Sequence, residues 1–449
     1  MKSKIYKIKN IILYALLGIV WIMAVAIGWF RFDHLIDSDM SSELVLSRLL
    51  ADENRILTPN WYYSTELRVL NTQLIYSAFF RVFHDWTVIR TASVMVMYTI
   101  LLISIYYFMK QYNCSEYFCV AGIILLLPFS DIYFTTVLCG AYYIPHIVIS
   151  LLTFAIFQHY VNTGKGWLIM MQGLLALMAG LGGIREIVIL YFPLGIMCIA
   201  GVIHYWKNIC SDRIIKAYVG NGVACVIAAI GFSINKLWLS KIYTFGRWKQ
   251  VTGTSPISLD RLSDVLESLL ECFQMDVIKS PLSTVAGLIW IVATVFLIVT
   301  NLRKNSEKMN IRISLYLILE YAVLFAVFMF TNMHLEARYF LMSTIFSVLL
   351  LCMSLSSKQV RKLEKIILGL IVGMTIVFEI QLYCKEWNVD PAKDHITIAN
   401  YLEEEKITSG YATFWNANVL TELSNGKIEV WSWGVPYDDE GRIEMEHSC

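Results

Sequence analysis

Residues 32–53 read FDHLIDSDMSSELVLSRLLADE and place Asp33, Asp37, Asp39 and Glu43 just beyond the first long apolar run of the chain. Carboxylates crowded in this way can take a proton from a reacting hydroxyl, because a neighbouring acid raises the pKa of a general base toward a useful value. A D-x-D spacing, here Asp37 and Asp39, can also hold a divalent metal such as Mg or Mn through its oxygens. Far along the chain, two short turns carry isolated guanidinium groups. They are Arg185 in GLGGIREIVILYFP and Arg338 in MHLEARY, the latter beside His334 and Glu336. Arginine suits a phosphate best, through its bidentate fork. Each group also has a plainer reading. Acids at a helix start favour the dipole, Arg185 can pair with Glu186 at the membrane edge, and Arg338 can anchor the surface beside Tyr339.

What must position these groups is a membrane bundle. Of 449 residues, 57% are hydrophobic and 16% charged, where soluble domains carry about 25% charged residues. A net charge of +1 offers no concentrated basic face, so no nucleic acid is expected as a partner. The ten cysteines include no C-x-x-C pair and fall mostly in apolar runs, which points away from a disulfide framework or a zinc site. About 20 apolar residues cross a bilayer as a helix. That rule predicts about eleven spans, near 10–30, 87–109, 118–138, 142–161, 167–184, 187–206, 217–239, 282–302, 312–332, 339–356 and 366–384. Lys and Arg fall in alternate connections, from Lys2–Lys9 through Lys110, Lys165, Lys207–Lys216 and Arg303–Arg312 to Lys358–Lys365. The cytoplasmic bias of basic loops then puts the N-terminus inside and the C-terminus outside a plasma membrane, with the first run a retained signal anchor.

The outer side carries three long segments, 31–86, 240–281 and the tail 385–449. Residues 1–384 thus form the transmembrane domain and 385–449 a small extracytoplasmic unit, and elaborated loops are where function concentrates. Residues 38–53 predict an amphipathic helix with Leu44, Val45, Leu49 and Leu50 on its apolar stripe and Asp37 or Ser38 as N-cap. A second such helix is expected over 67–83, both lying at the interface. A further helix follows Ser258, with Leu262, Val265, Leu266 and Leu269 on one face. In the tail, thirteen acids stand against five basic residues. A helix over 395–405, a strand at SGYATFW, a helix in NANVLTELSNG capped by Asn416 and closed by Gly426, and a strand at KIEVWSW predict a βαβ fragment. It is too small to bury a strong core alone and is expected to dock on the outer loops. Trp415, Trp431 and Trp433 are expected in its core in preference to stacking on a glycan.

A first span, a D-x-D at its outer end, an amphipathic helix and then LNTQLIYSAFFRVFHDWTVIRTASVMV together resemble the GT-C glycosyltransferases. More narrowly they are similar to the family 39-like branch, which includes protein O-mannosyltransferases and aminoarabinose transferases. EARYFL at 336–341 looks like that branch's Arg-Tyr at the outer start of a late span. The likeness covers the first hundred residues and, beyond them, topology alone. It implies an all-α polytopic GT-C-like bundle with outer amphipathic helices and, in this chain, a small α/β C-terminal extension. It also implies a membrane enzyme that takes a sugar from a polyprenyl-phosphate donor outside the cell and passes it to a hydroxyl of a surface glycan, lipid or protein. In that pattern Asp37 is the general base, Asp33 its rival, and Asp39 its polar or metal-binding neighbour. Arg338 and Arg185 hold the donor phosphate, with Lys241, Arg247 and Lys249 as weaker candidates, while Glu43, Asp131 and His334 border the cavity. Two alternatives stay open. One is a lipid-linked sugar flippase or transporter, for which Glu320 and Glu379 within spans are the relevant groups; the other is a non-catalytic protein of cell-envelope assembly.

Overall fold

The structure is a computed structural model that describes residues 2–63, 67–205, 213–244, 258–273, 281–303, 308–331, 333 and 335–433. Among these, nine helices are long and apolar enough to cross a membrane: Ile8–Phe30, Trp86–Gln111, Ile144–Thr163, Ile187–Tyr205, Arg213–Lys241, Ser283–Arg303, Met309–Phe330, Ala337–Ser356 and Lys362–Trp387. A helix satisfies its own backbone groups, which is what lets it stand in lipid. Ala337–Ser356 runs through the middle of the bundle and is almost wholly buried, whereas the first and last spans turn Ile11, Ile19, Ile22, Leu370 and Val377 outward.

The other two predicted spans are shorter helices, Ser115–Leu125 and Trp167–Leu181. The first stops because Pro128 clashes with the carbonyl four residues back and disfavours helix at the residue before it. The Leu125 carbonyl at the broken end takes the Tyr133 hydroxyl at 2.7 Å. Ser130 then restarts the chain by accepting the Tyr133 N–H at 3.2 Å, and a π-helical stretch follows over Phe134–Cys139. The second stops at Gly182 and Gly183, the latter at φ +113°, and Asn235 Nδ2 donates to the Leu181 carbonyl at 2.7 Å. Trp167–Leu181 packs hard on Arg213–Leu237: a Cβ on Gly180 would sit 2.1 Å from the Ala228 carbonyl oxygen.

The long connections gather at one end of this bundle. Ser38–Asp52 forms the expected amphipathic helix, with Leu44 and Leu50 buried and Val45 and Leu49 half-buried. The second amphipathic helix spans only Gln73–Phe80, not 67–83. Its expected first turns are held in contacts instead: the Leu67 carbonyl accepts Asn235 Nδ2 at 2.7 Å, and the Arg68 carbonyl accepts Gln73 Nε2 at 2.6 Å. Leu259–Cys272 is helical, capped by Ser258, and buries Val265. From that helix Arg261 donates to the carbonyls of Phe328 and Met333, at 2.8 and 2.6 Å, where the neighbouring span runs out of its own donors.

Beyond the last span come a helix, Lys393–Glu404, then β1 (Ser409–Ala412), a helix, Phe414–Leu423, and β2 (Glu429–Ser432). The strands are parallel, with Tyr411 opposite Trp431, so the predicted βαβ unit forms. Its middle helix starts from Thr413 rather than Asn416; the Asn416 amide donates to Thr413 Oγ1 at 3.2 Å, and its carbonyl oxygen faces His395 Nε2 at 2.9 Å. Gly426, at φ +72°, ends the helix against Trp86, where a Cβ would lie 2.8 Å from the ring. The expectation that the tryptophans form a core is wrong. One helix layer covers only one face of a two-stranded sheet, and Trp415, Trp431 and Trp433 are exposed.

Candidate active site

The turn before Ser38–Asp52 sets both aspartates. Asp37 is extended and caps the helix, its Oδ1 accepting the Met40 N–H at 2.8 Å. Asp39 lies in the first turn and reaches outward, with 44% of its side chain exposed. There Arg338 Nη1 donates to Asp39 Oδ2 at 3.3 Å, joining residues 299 positions apart. The same guanidinium donates from Nη2 to Glu336 Oε1 at 2.8 Å. Arg338 is held on Ala337–Phe340, the single tight turn that opens the central span.

Arg185 follows the Gly182–Gly183 break, and its guanidinium carbon stands 4.8 Å from the centre of the Tyr143 ring and 5.4 Å from that of Tyr339. Glu186 turns its carboxylate into the bundle, where it meets His146 Nδ1 at 2.7 Å. Tyr142 and Tyr143 join the two halves of the cluster. The charges of Asp37, Asp39 and Arg338 act on the Tyr142 phenol, and those of Arg185 and Arg338 on Tyr143. Arg338 thus meets Asp39 directly, Asp37 stands in the same turn as Asp39, and Arg185 lies beside Tyr143 and Tyr339.

An open cleft of about 600 Å³ lies against this cluster. Asp39, Glu43, Trp61, Tyr63, Arg68, Tyr142 and Phe414 line it. Glu43 is fixed by Arg68 Nη1 at 2.9 Å and by Thr72 Oγ1 at 3.0 Å. Arg338 reaches the cleft wall through its bond to Asp39. Burial pushes the Asp37 carboxyl above the ordinary carboxylate range; the Met40 N–H pulls it back and the charge of Asp39 adds to the rise.

The other candidates fall elsewhere. Asp33 lines a second cavity, of about 510 Å³, with Asp85, Trp86, Arg90 and Glu422, at the seam between bundle and extension. Asp131 is exposed and paired with Lys385 at 3.3 Å, away from the cleft. Lys241 is exposed, and Glu320 and Glu379 are wholly buried and line neither cavity. Arg247, Lys249 and His334 lie outside the described residues.

Asp39 already faces a guanidinium, Asp37 is engaged as a cap, and no group of three or more metal-type ligands exists among the described residues. Several lining residues escaped the sequence reading. Arg68, Tyr142 and Phe414 carry no spacing signal that separates them from an ordinary aromatic belt or a surface charge. Glu422 escaped too, although it is the strongest partner in the seam: it accepts from Arg90 Nε at 2.9 Å and from Nη2 at 2.6 and 2.8 Å, both side chains being buried.

No family model and no curated protein matches this chain. Among solved structures, the crystal structure of the Archaeoglobus fulgidus oligosaccharyltransferase in the apo form is similar at a TM-score of 0.48 and 11% identity, covering 94% of this chain. The chain spans 64% of that protein's length.

Proposed function

We propose that this protein is an integral membrane glycosyltransferase that moves a sugar from a polyprenyl-phosphate donor to an acceptor hydroxyl, at the end of the bundle that faces outward by the basic-loop rule. The observation that carries the reading is the contact of Asp39 with Arg338 at the wall of a membrane-edge cleft, with Asp37 and Arg185 in the same cluster. Four charged groups from three separate parts of the chain, the Asp37–Asp39 turn, Arg185 and Arg338, are brought to this end of the bundle, and each suits one demand of the reaction.

The acceptor oxygen attacks the anomeric carbon while its proton passes to a carboxylate, and the bond from that carbon to the phosphate oxygen breaks. The electron pair leaves with the polyprenyl phosphate. A carboxylate of the Asp37–Asp39 pair takes the proton; the raised pKa of Asp37 suits that task, and its Oδ2 is not the oxygen used in the cap. The oxocarbenium-like centre develops positive charge near these acids. Arg338 and Arg185 neutralise the leaving phosphate, which then departs without a proton. Arg338 already balances Asp39 and Glu336, so it is held in place before any donor arrives.

The test supplies purified protein in liposomes with radiolabelled polyprenyl-phosphate sugars and a mixed set of hydroxyl acceptors. Transfer by the wild type, and its loss in Asp39→Asn and Arg338→Ala, is the expected result. Movement of the labelled lipid across the bilayer without transfer would instead favour the flippase.

A further inference from the structure

We propose that the outward face of the β1–β2 sheet is a binding platform for a neutral or amino-sugar pyranose chain. Strand alternation puts Tyr411 and Trp431 directly opposite each other on that face, and the Trp433 N–H, donating to the Ala412 carbonyl at 2.7 Å, extends the same row by one tryptophan. The inner face, Gly410, Ala412 and Val430, is half-buried under Phe414–Leu423. The three rings are 71%, 49% and 57% exposed. An aromatic side chain carries about 150–250 Å² of surface that gains from burial, so three left open on a short extension mark a contact surface.

Ring geometry and charge together select the occupant. Tyr411 and Trp431 lie 5.4 Å apart at 41°, and Tyr411 and Trp433 6.4 Å apart at 71°. Neither pair is stacked, so ring faces remain free for the C–H face of a pyranose. Glu429 stands on the same face, its side chain 55% exposed and its Oε1 3.7 Å from Arg48 Nη2, so a donor and an acceptor for sugar hydroxyls lie side by side there. Residues 385–449 hold thirteen acids against five basic groups. That excess repels anionic headgroups and phosphate-rich polymers, and leaves sugars without acidic groups as the fitting ligand.

The platform is also fixed and near the cleft. The Arg90–Glu422 pair and the Trp86 N–H, donating to Asn425 Oδ1 at 2.8 Å, clamp the extension to the bundle. Phe414, three residues after Tyr411, lines the cleft with Asp39 and Tyr142, and three residues reach at most about 11 Å. A chain held on the sheet can thus present its end to the cleft. This role as acceptor site rests on the transferase reading; the binding itself does not.

The experiment titrates the full-length protein in detergent with neutral oligosaccharides (manno-, gluco- and chito-oligomers), following tryptophan fluorescence and saturation-transfer NMR. At least one series is expected to bind, with affinity lowered about tenfold in Trp431→Ala and in Tyr411→Ala and kept in Trp431→Phe. Absence of binding by every series, or binding unchanged in both alanine variants, would overturn the platform. So would tryptophan shifts produced by zwitterionic vesicles alone, or a concentration-dependent dimer that Trp431→Ala dissolves. Asp39→Asn separates the two claims: it is expected to bind sugar as the wild type does while losing transfer.

Discussion

Two arginine–carboxylate pairs stand at the same end of this bundle and do opposite work. Arg338 with Asp39 and Arg90 with Glu422 each join the start of a span to an acid some 300 positions away, by 299 and 332 residues. They differ in water. The Arg338 and Asp39 side chains are 20% and 44% exposed, beside a cleft; those of Arg90 and Glu422 are 1% and 5% exposed, in a seam. An open pair in high dielectric is worth little to stability and can exchange partners with an incoming phosphate. A dry pair is costly to form and costlier to break, so it behaves as a clamp. Burial pushes the Glu422 carboxyl up against the pull of Arg90, as expected for a pair held out of water. The same pairing thus stands open beside a cleft in one place and dry in a seam in the other.

Breaking the clamp is expected to have the largest effect. Arg90→Ala leaves the Glu422 carboxylate buried alone and should cost about 3–5 kcal/mol of docking stability. Hydrogen exchange over 393–433 is expected to quicken strongly, whereas Arg90→Met combined with Glu422→Leu should recover most of the protection. Unchanged exchange in Arg90→Ala would remove the distinction between the pairs.

Asp37 offers a sharper cut, because asparagine caps a helix about as well as aspartate does. Asp37→Asn is expected to keep thermal stability while lowering transfer about 100- to 10,000-fold, the usual range for a lost general base. Asp37→Ala should in addition lose about 1 kcal/mol of helix stability. Equal transfer by Asp37→Asn and the wild type would make this residue a cap and nothing more, and hand the base to Asp39. The pH profile follows from the same group. A base works ionised, so transfer should fall as pH drops through its pKa, and the raised carboxyl of Asp37 places that acid limb above 3.8, the ordinary value for aspartate. An acid limb at or below the ordinary value would contradict the assignment. The smallest effect belongs to Glu43→Gln, which loosens Arg68 at the cleft wall and should shift stability by about 1 kcal/mol or less, read by thermal unfolding.

How much of this was legible in the sequence depends on the range of the force involved. Local rules held in the main: hydropathy located the spans, and the cap at Asp37 and the left-handed Gly426 read directly from residue type, while the cap expected at Asn416 falls at Thr413. Short-range conflict misled where two rules met. Pro128 ended a helix that hydropathy extended to 138, and side-chain contacts to Leu67 and Arg68 kept 67–72 out of a helix whose apolar pattern favoured it. Long-range pairing was illegible in principle. Residue type and the basic-loop rule singled out Arg338 and Asp39 on one side of the membrane, but their contact is set by the fold; nothing in Glu422, an ordinary helix acid in the tail, announces a buried partner in the second span. The tryptophans failed for another reason. Aromatic residues predict burial on average, but a two-stranded sheet with one helix layer has a face with nothing to bury it.

The most direct test of the central claim is a double-mutant cycle on sugar transfer with Asp39→Asn, Arg338→Ala and the pair together. Groups that act as one catalytic unit give losses that do not multiply, so the double variant is expected to transfer about as slowly as the worse single variant. Losses that multiply cleanly, or a wild-type rate in either single variant, would show that the contact at the cleft wall is not where the chemistry takes place.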